Sequence, residues 1–382
     1  MESGLQSLLL CGDDKVVRVL RRVLSEMEIG VEHCSDADTA TQKLTRQRFE
    51  AVIVDCTAPD IAGRVLNGTR SAPANRRAIT VAILDGQTAG DSQTALKRAF
   101  AMGSHFVLFK PISLERTRAS FRAVRALMKR ERRRHARIPI QLAVEFHGEQ
   151  STFMRANTID LGENGMAVNA KARSLPTNFQ VRFTLPGVGV NVDCRGEVAW
   201  EGGQLLGIRF CDLAVETRDQ LKQWVGRQLL GNDAEEMPVR CKLTDLSLSA
   251  CYLQTESPFP VRTRLQLMMK VGELAVETEG IVRLMHPGTG MGVEFTKNTS
   301  LQKAHVEDFI RTLVSTTGAV PDIEVKPDAI DNSSDAYSFW QLPDERMDPL
   351  LSLFRTDLPP ELFHMELRKQ RGVPAETAAA AV

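Results

Sequence analysis

The chain has no net charge, since 48 lysines and arginines stand against 48 aspartates and glutamates in 382 residues. No whole-molecule field therefore attracts nucleic acid or an anionic membrane, although a zero sum can hide opposite regional charges. Long apolar runs are missing as well. The apolar start Leu8-Leu9-Leu10 runs into Asp13 and Asp14, and nowhere do the roughly eighteen apolar residues of a membrane span occur together. The seven cysteines, at 11, 34, 56, 194, 211, 241 and 251, form no C-x-x-C pair. That argues against a disulfide framework or zinc ribbon and leaves buried, reduced thiols and a cytosolic address as the expectation. The seven histidines stand apart, with no H-E-x-x-H spacing. No Walker loop, dinucleotide glycine fingerprint, or cyclase or phosphodiesterase signature occurs, so the chain is not expected to be an enzyme.

At about 150 residues per domain the length calls for two or three domains. Over residues 1–130, SLLLC (7–11), AVIVDC (51–56), TVAIL (80–84) and FVLF (106–109) are too short for helices and too continuous for half-exposed strands. Between them VVRVLRRVLSEM, ADTATQKLTRQ and QTALKRAFAMG place apolar residues at helical spacing. This is the pattern of a doubly wound α/β sheet, whose chemistry sits at the carboxyl ends of its strands. The residues there are Asp13, Asp14, Asp55, Asp85 and the pair Lys110-Pro111.

From residue 138 the texture changes to short runs rich in Val, Phe and Thr and punctuated by Gly and Pro, as in a small antiparallel barrel. The pattern repeats with an offset of 85 residues: Asp160-Leu161 and Gly165 recur as Asp245-Leu246 and Ala250, GIRF (207–210) as GVEF (292–295), and Trp224 as Phe309. Two copies of one unit are inferred, at 131–232 and 233–316, each ending in a helix. The first copy has a leading strand, IQLAVEF (140–146), that the second lacks. Residues 317–382 read as a largely disordered acidic tail, with PLLSLF (349–354) and PPELFHMEL (359–367) able either to dock on the repeats or to recognise a partner.

The first segment resembles a response-regulator receiver domain. The match rests on Asp55 with Pro59 and Gly63 after it, on Lys110-Pro111 and on Gly103. The resemblance implies that Asp55 is the phosphoacceptor for a sensor histidine kinase, that Asp13, Asp14, Asp85 and Lys110 complete the site, and that Mg²⁺ rests on Asp13, Asp55 and Thr57. Two departures bear on activity. Gly12 stands where one of two metal-site acids belongs, and Asp85 where the switch hydroxyl belongs. Two like charges about 4 Å apart at an effective dielectric near 20 cost roughly 4 kcal/mol, so Asp85 opposes a phosphoryl group.

Residues 116–137 hold ten basic residues and one acidic, whereas from 316 onward 12 acidic residues face 6 basic ones. Arg133, Arg134 and Arg137 run directly into the first barrel, and DLGENG (160–165) follows. Guanidinium forks suit phosphate and the guanine O6/N7 edge, a carboxylate accepts from guanine N1 and N2, and a glycine permits close approach. This arrangement resembles the PilZ domain, through R-x-x-x-R at Arg133 and Arg137 and the loop from Asp160 to Gly165. The resemblance implies binding of cyclic di-GMP by Arg133, Arg134, Arg137, Asp160, Gly162 and Gly165, with an arginine segment that wraps around its ligand. Gly162 replaces the family's serine; one lost hydrogen bond to a charged partner, about 1.5–3 kcal/mol, weakens binding without abolishing it. The second copy also resembles PilZ, with Ser247 but Ala250, and its spacing analogues of the arginines, Arg218 and Lys222, fall on the first copy's closing helix by coincidence. It is expected to pack on the first copy or to self-associate into a homodimer.

The expected function is a cytoplasmic signalling adaptor that binds cyclic di-GMP, is modulated at Asp55 and acts on a downstream protein, with neither nucleic acid nor membrane insertion involved. The alternative is a ligand-free interaction scaffold built on a pseudo-receiver and degenerate barrels.

Overall fold

The computed structural model describes residues 4–86, 95, 98–148, 153–169, 179–229, 238–296, 299–316, 318, 320–331, 348–356 and 358–370. They form two compact units, Met1–Arg130 with Met237–Val382, and Glu131–Glu236.

The first unit begins with strands β1 (Leu5–Leu10), β2 (Ile29–Cys34), β3 (Ala51–Asp55), β4 (Ile79–Asp85) and β5 (Phe106–Lys110). They lie in the order β2-β1-β3-β4-β5, with every pair parallel. Most of β1, β3 and β4 is buried, as continuous apolar runs require of strands covered on both faces. Crossovers are made by α1 (Asp14–Glu26), α2 (Ala37–Arg46) and α3 (Pro59–Ser71). The helix α3 was not among the periodic stretches of the sequence; its signal is Pro59 in the first turn. The stretch 93–103 lies partly outside the described residues, and 98–101 are helical. Gly103 has φ +92°, a conformation that favours glycine, and the Arg70 guanidinium donates to its carbonyl at 2.7 Å. Helix α4 (Leu114–Arg134) buries Phe121, Val124, Leu127 and Met128.

The second unit is a barrel of β6 (Ile138–Pro139), β7 (Ala143–Gly148), β8 (Phe153–Gly162), β9 (Gly165–Asn169), β10 (Phe179–Leu185), β11 (Val190–Gly202) and β12 (Leu205–Cys211), followed by helix α5 (Val215–Leu229). The ring β8-β7-β10-β11-β12-β9 is closed by pairing of β9 with β8, and β6 pairs with the far end of β8. Trp224 from α5 is buried on the barrel and donates to the Pro186 carbonyl at 2.9 Å.

The rest of the first unit is a second closed barrel, β13 (Val239–Leu246), β14 (Ala250–Gln254), β15 (Thr263–Val271), β16 (Leu274–His286), β17 (Gly290–Phe295) and β18 (Asp322–Ile330), in the order β13-β14-β17-β16-β15-β18. Its helix α6 (Ser300–Ser315) buries Phe309 as α5 buries Trp224. Even the irregularities of the two barrels match. A bulge between Thr158 and Asp160 answers one between Leu243 and Asp245, and a bulge between Val198 and Trp200 answers one between Val282 and Leu284.

The leading strand that the second copy lacks is replaced from the other end of the repeat. In the first barrel β7 lies between β8 and β10, with Glu145 opposite Arg155 and ion-paired to it at 2.8 Å. In the second barrel β18 lies between β13 and β15, with Glu324 opposite Arg240 and ion-paired at 3.5 Å. The ring is therefore the same, closed by a strand that comes after the closing helix instead of before the repeat.

This corrects the expectation of a largely disordered tail from residue 317 onward. Residues 322–330 are a core strand with Ile323 and Val325 fully buried. Helices α7 (Pro349–Phe354) and α8 (Pro360–Gln370) pack Leu350, Leu351, Leu353, Phe354, Phe363 and Leu367 on Ala250, Tyr252 and Leu284 of the barrel. The remainder of that segment lies outside the described residues. Within this unit the second barrel also packs on the α/β sheet: Val261 donates its amide to the His105 carbonyl at 3.2 Å, and Arg130 pairs with Asp328 at 3.0 Å. The seven cysteines are free thiols, six of them buried, as expected. Among the described residues no helix is long and apolar enough to cross a membrane.

If β18 is integral to the ring, Ile323→Ala destabilises the chain by about 2–4 kcal/mol in urea unfolding; an unchanged midpoint would show that the ring stands without it. His286 gives a pH dependence. Its Nδ1 accepts from the Tyr252 hydroxyl at 2.8 Å and its Nε2 meets the Leu358 carbonyl at 3.0 Å, with Phe363 and His364 against the rings. Burial holds it neutral, pushing it from 6.5 down to about 4. The unfolded chain takes up this proton first, so stability falls as pH drops from 6.5 towards about 4, and His105, buried and pushed down to about 3, acts in the same direction. A His286→Gln variant loses its share of that slope, and a slope equal to the parent's would contradict the assignment.

Candidate functional sites

At the carboxyl edge of the α/β sheet the chain collects Asp55, Thr57, Asp85 and Lys110, because β3, β4 and β5 end side by side with Asp85 opposite Lys110. Lys110 Nζ lies 2.9 and 3.2 Å from the two Asp55 carboxylate oxygens and 3.1 Å from Thr57 Oγ1. Asp85 adds a second carboxylate 3.5 Å from the same ammonium. The Thr57 hydroxyl donates to Asp55 Oδ1 at 2.6 Å and its amide at 3.1 Å. Burial pulls the Asp55 carboxyl upward, but the Thr57 hydroxyl and the Lys110 ammonium outweigh it and hold the group below the usual Asp value. Cys11, at the end of β1, was missed by the sequence reading. Its thiol, raised by burial to about 11, faces Asp55 Oδ2 at 3.4 Å.

Asp13, Asp55 and Thr57 would supply two carboxylates and a threonine oxygen to the Mg²⁺ ion expected there, and the protein's own groups engage the same acceptors. Such an ion takes oxygen ligands in an octahedron, usually from one or two carboxylates. Here both Asp55 oxygens are engaged by Lys110. Asp13 Oδ1 caps α1, accepting from the amides of Lys15 at 2.8 Å and Val16 at 3.3 Å. Asp14 is exposed in the first turn of α1, Gly12 has no side chain, and among the described residues no three His, Cys, Asp or Glu side chains converge on a metal position.

The second candidate site belongs to the first barrel. The strand β6 pairs Ile138 with Leu161 and Pro139 with Asp160, so the chain just before it lies along the loop at 160–165. Arg137 Nη1 donates to the Gly165 carbonyl at 2.5 Å and stands 3.8 Å from Asp160 Oδ1. Asp160 Oδ1 also accepts from the Ala167 amide at 3.1 Å, across the bulge. Arg134 stands 3.8 Å from Glu131, and its carbonyl accepts from Asn164 Nδ2 at 3.4 Å. Arg133 is half-buried and its Nε finds no partner among the described residues. Arg137, Asp160 and the loop glycines are thus brought together, with Arg134 tied to the loop through its backbone.

Gly165 answers a need of the barrel itself. A Cβ there would lie 2.1 Å from the Ile208 carbonyl oxygen, so the glycine lets β9 and β12 close. Asn164, which fastens the arginine segment, was not singled out in the sequence; as a polar residue in a tight turn its signal is weak.

In the second barrel the corresponding loop is closed on itself. Ser247 Oγ accepts from the amides of Ala250 at 3.0 Å and Ser249 at 3.3 Å. Arg218 and Lys222, the spacing analogues of the arginines, lie on the closing helix α5, as expected.

Comparison with known proteins gives a match to the PilZ domain over residues 131–227. Among solved structures, the chain is similar to the receiver domain of a sensor histidine kinase from Pseudomonas aeruginosa PAO1, crystallised with a magnesium ion in its active-site cleft, at 22% identity over 33% of this chain and 99% of that one, with a TM-score of 0.28. It is similar to the Vibrio cholerae chemotaxis protein CheY4 at 16% identity over 32% of this chain and 99% of that one, TM-score 0.28. It is also similar to the PilZ domain of CeSA from a cellulose-synthesizing bacterium, at 20% identity over 24% of this chain and 96% of that one, TM-score 0.21. No curated protein matches the chain.

The first site carries its own test. If Lys110 and Thr57 together hold the Asp55 carboxyl down, Lys110→Met and Thr57→Val each raise its titration midpoint, read by carbon-detected NMR. A midpoint that stays in place in both variants would remove these groups as the cause.

Proposed function

We propose that this chain, with a PilZ domain at 131–227 and a receiver-like sheet before it, is a cytoplasmic signalling adaptor that takes cyclic di-GMP on its first barrel. The observation that carries the reading is the convergence of Arg137 with Asp160 and Gly165, with Arg133 and Arg134 just upstream at the end of the helix. Guanidinium groups at the mouth of the loop supply forked donors for the phosphates and the guanine O6/N7 edge. Asp160 supplies the acceptor for the guanine N1 and N2 donors. Gly162 contributes no side-chain hydrogen bond, so the arginines carry the larger share of the affinity.

Asp55 is proposed as the residue that a sensor histidine kinase addresses, with Lys110 beside it and Asp85 opposing the phosphoryl group. A receiver-like module that docks without switching is the competing reading for this domain, and the Asp55–Lys110–Asp85 arrangement favours it. A downstream protein and a homodimer complete the proposed partners. The ligand-free scaffold remains the second reading of the whole chain, favoured by the apolar face of the second barrel, which already holds two helices.

Calorimetry on the full chain in low salt separates the two readings. The adaptor reading expects heat of binding with cyclic di-GMP, weakened about ten- to a hundredfold by Arg137→Ala in a variant that keeps its cooperative thermal unfolding. No heat at about millimolar nucleotide, well beyond the usual range of a specific site, would leave the scaffold.

A further inference from the structure

The arginine segment is fastened to the loop by the chain's own groups, at three successive points. Asn164 Nδ2 donates to the Arg134 carbonyl at 3.4 Å, Arg137 Nη1 donates to the Gly165 carbonyl, and Ile138 and Pro139 pair with Leu161 and Asp160. Between these points the segment passes over Gly162. A Cβ at this glycine would lie 2.8 Å from the Ala136 carbonyl oxygen, 3.1 Å from Arg137 Cδ and 3.2 Å from Arg137 Nη1. The first of these neighbours is backbone and cannot swing aside, so any other residue at 162 lifts the segment as a whole. Gly162 does not have a positive φ; what it provides is room.

We propose that Gly162 is the seat of a latch, on which the arginine segment closes through Gly165 and Asp160 and so occupies with Arg137 the groups that a nucleotide needs. This rests on the cyclic di-GMP reading of the same loop and adds its regulation. The serine-to-glycine change then has two opposite effects. It removes one hydrogen bond from the ligand, and it lets the protein's own arginine compete for the site. Binding becomes an exchange of partners at Arg137, and whatever pulls the segment off the loop raises the affinity.

Hydrogen exchange on the full chain, with no nucleotide added, tests the latch. Peptides covering 134–142 and 160–166 are compared in the parent, in Gly162→Ala and in Arg137→Gln, which opens the same contact without touching the backbone at 162. Exchange about tenfold faster in both variants is the expected result, because local opening then costs one charged hydrogen bond less. Rates equal to the parent's in both variants would overturn the latch, whatever the nucleotide does. Faster exchange together with no nucleotide binding by parent or variants would keep the latch and remove its ligand reading. Where the nucleotide does bind, Gly162→Ala is expected to associate faster than the parent, and a slower association would count against competition by Arg137.

Discussion

A six-stranded ring with one place vacant exposes two rows of unpaired backbone N–H and C=O groups, and such edges pair with whatever comes. Both barrels of this chain meet that constraint, and each meets it with a strand from a different end of its repeat. In the first barrel the strand arrives from the N-terminal side, after the helix Leu114–Arg134 and the short strand β6. In the second it arrives after the closing helix, as β18. The Glu145–Arg155 and Glu324–Arg240 pairs at the same register show that the two strands fill one and the same place.

The loop at the head of each barrel has different surroundings. In the first barrel β6 lays the segment of Arg133, Arg134 and Arg137 along it. In the second, among the described residues, Asp245 and Leu246 are strand-paired only with β14. The second barrel differs further, because Ser247 turns inward to cap its own loop and the helices at 349–354 and 360–370 cover Ala250, Tyr252 and Leu284. Phe354 rests on Gly292, whereas at the corresponding Gly207 of the first barrel the ring is the barrel's own Trp200. That face of the second barrel holds two of the chain's own helices.

Much of this was legible in the sequence, and the reasons are physical. Continuous apolar runs with acids at their ends specify a parallel sheet and the cluster at its carboxyl edge, and the 85-residue recurrence exposes the repeat. The placement of β18 was not legible, because IEVKPDA looks polar and contains Pro327, and only the vacant place between β13 and β15 gives it a partner. The offset that links it to β7, from Glu145 to Glu324, is 179 residues, not 85, so a search at the repeat period passes over it. Cys11 beside Asp55 was missed because nothing in a strand-end thiol signals a carboxylate neighbour on another strand. Asp13 also caps α1 through one carboxylate oxygen, a second role that its position at a strand end does not signal. At Gly162 the sequence showed a lost hydroxyl, and the close approach of Ala136 that the loss permits needed coordinates.

The central proposal is that cyclic di-GMP binds at the first barrel, whose loop holds Arg137, and not at the second. The most direct test is hydrogen exchange mapped over the whole chain with saturating cyclic di-GMP. The account expects added protection at 134–142 and 160–167, and none at 245–252. Protection at the second loop, or equal protection at both, would contradict it.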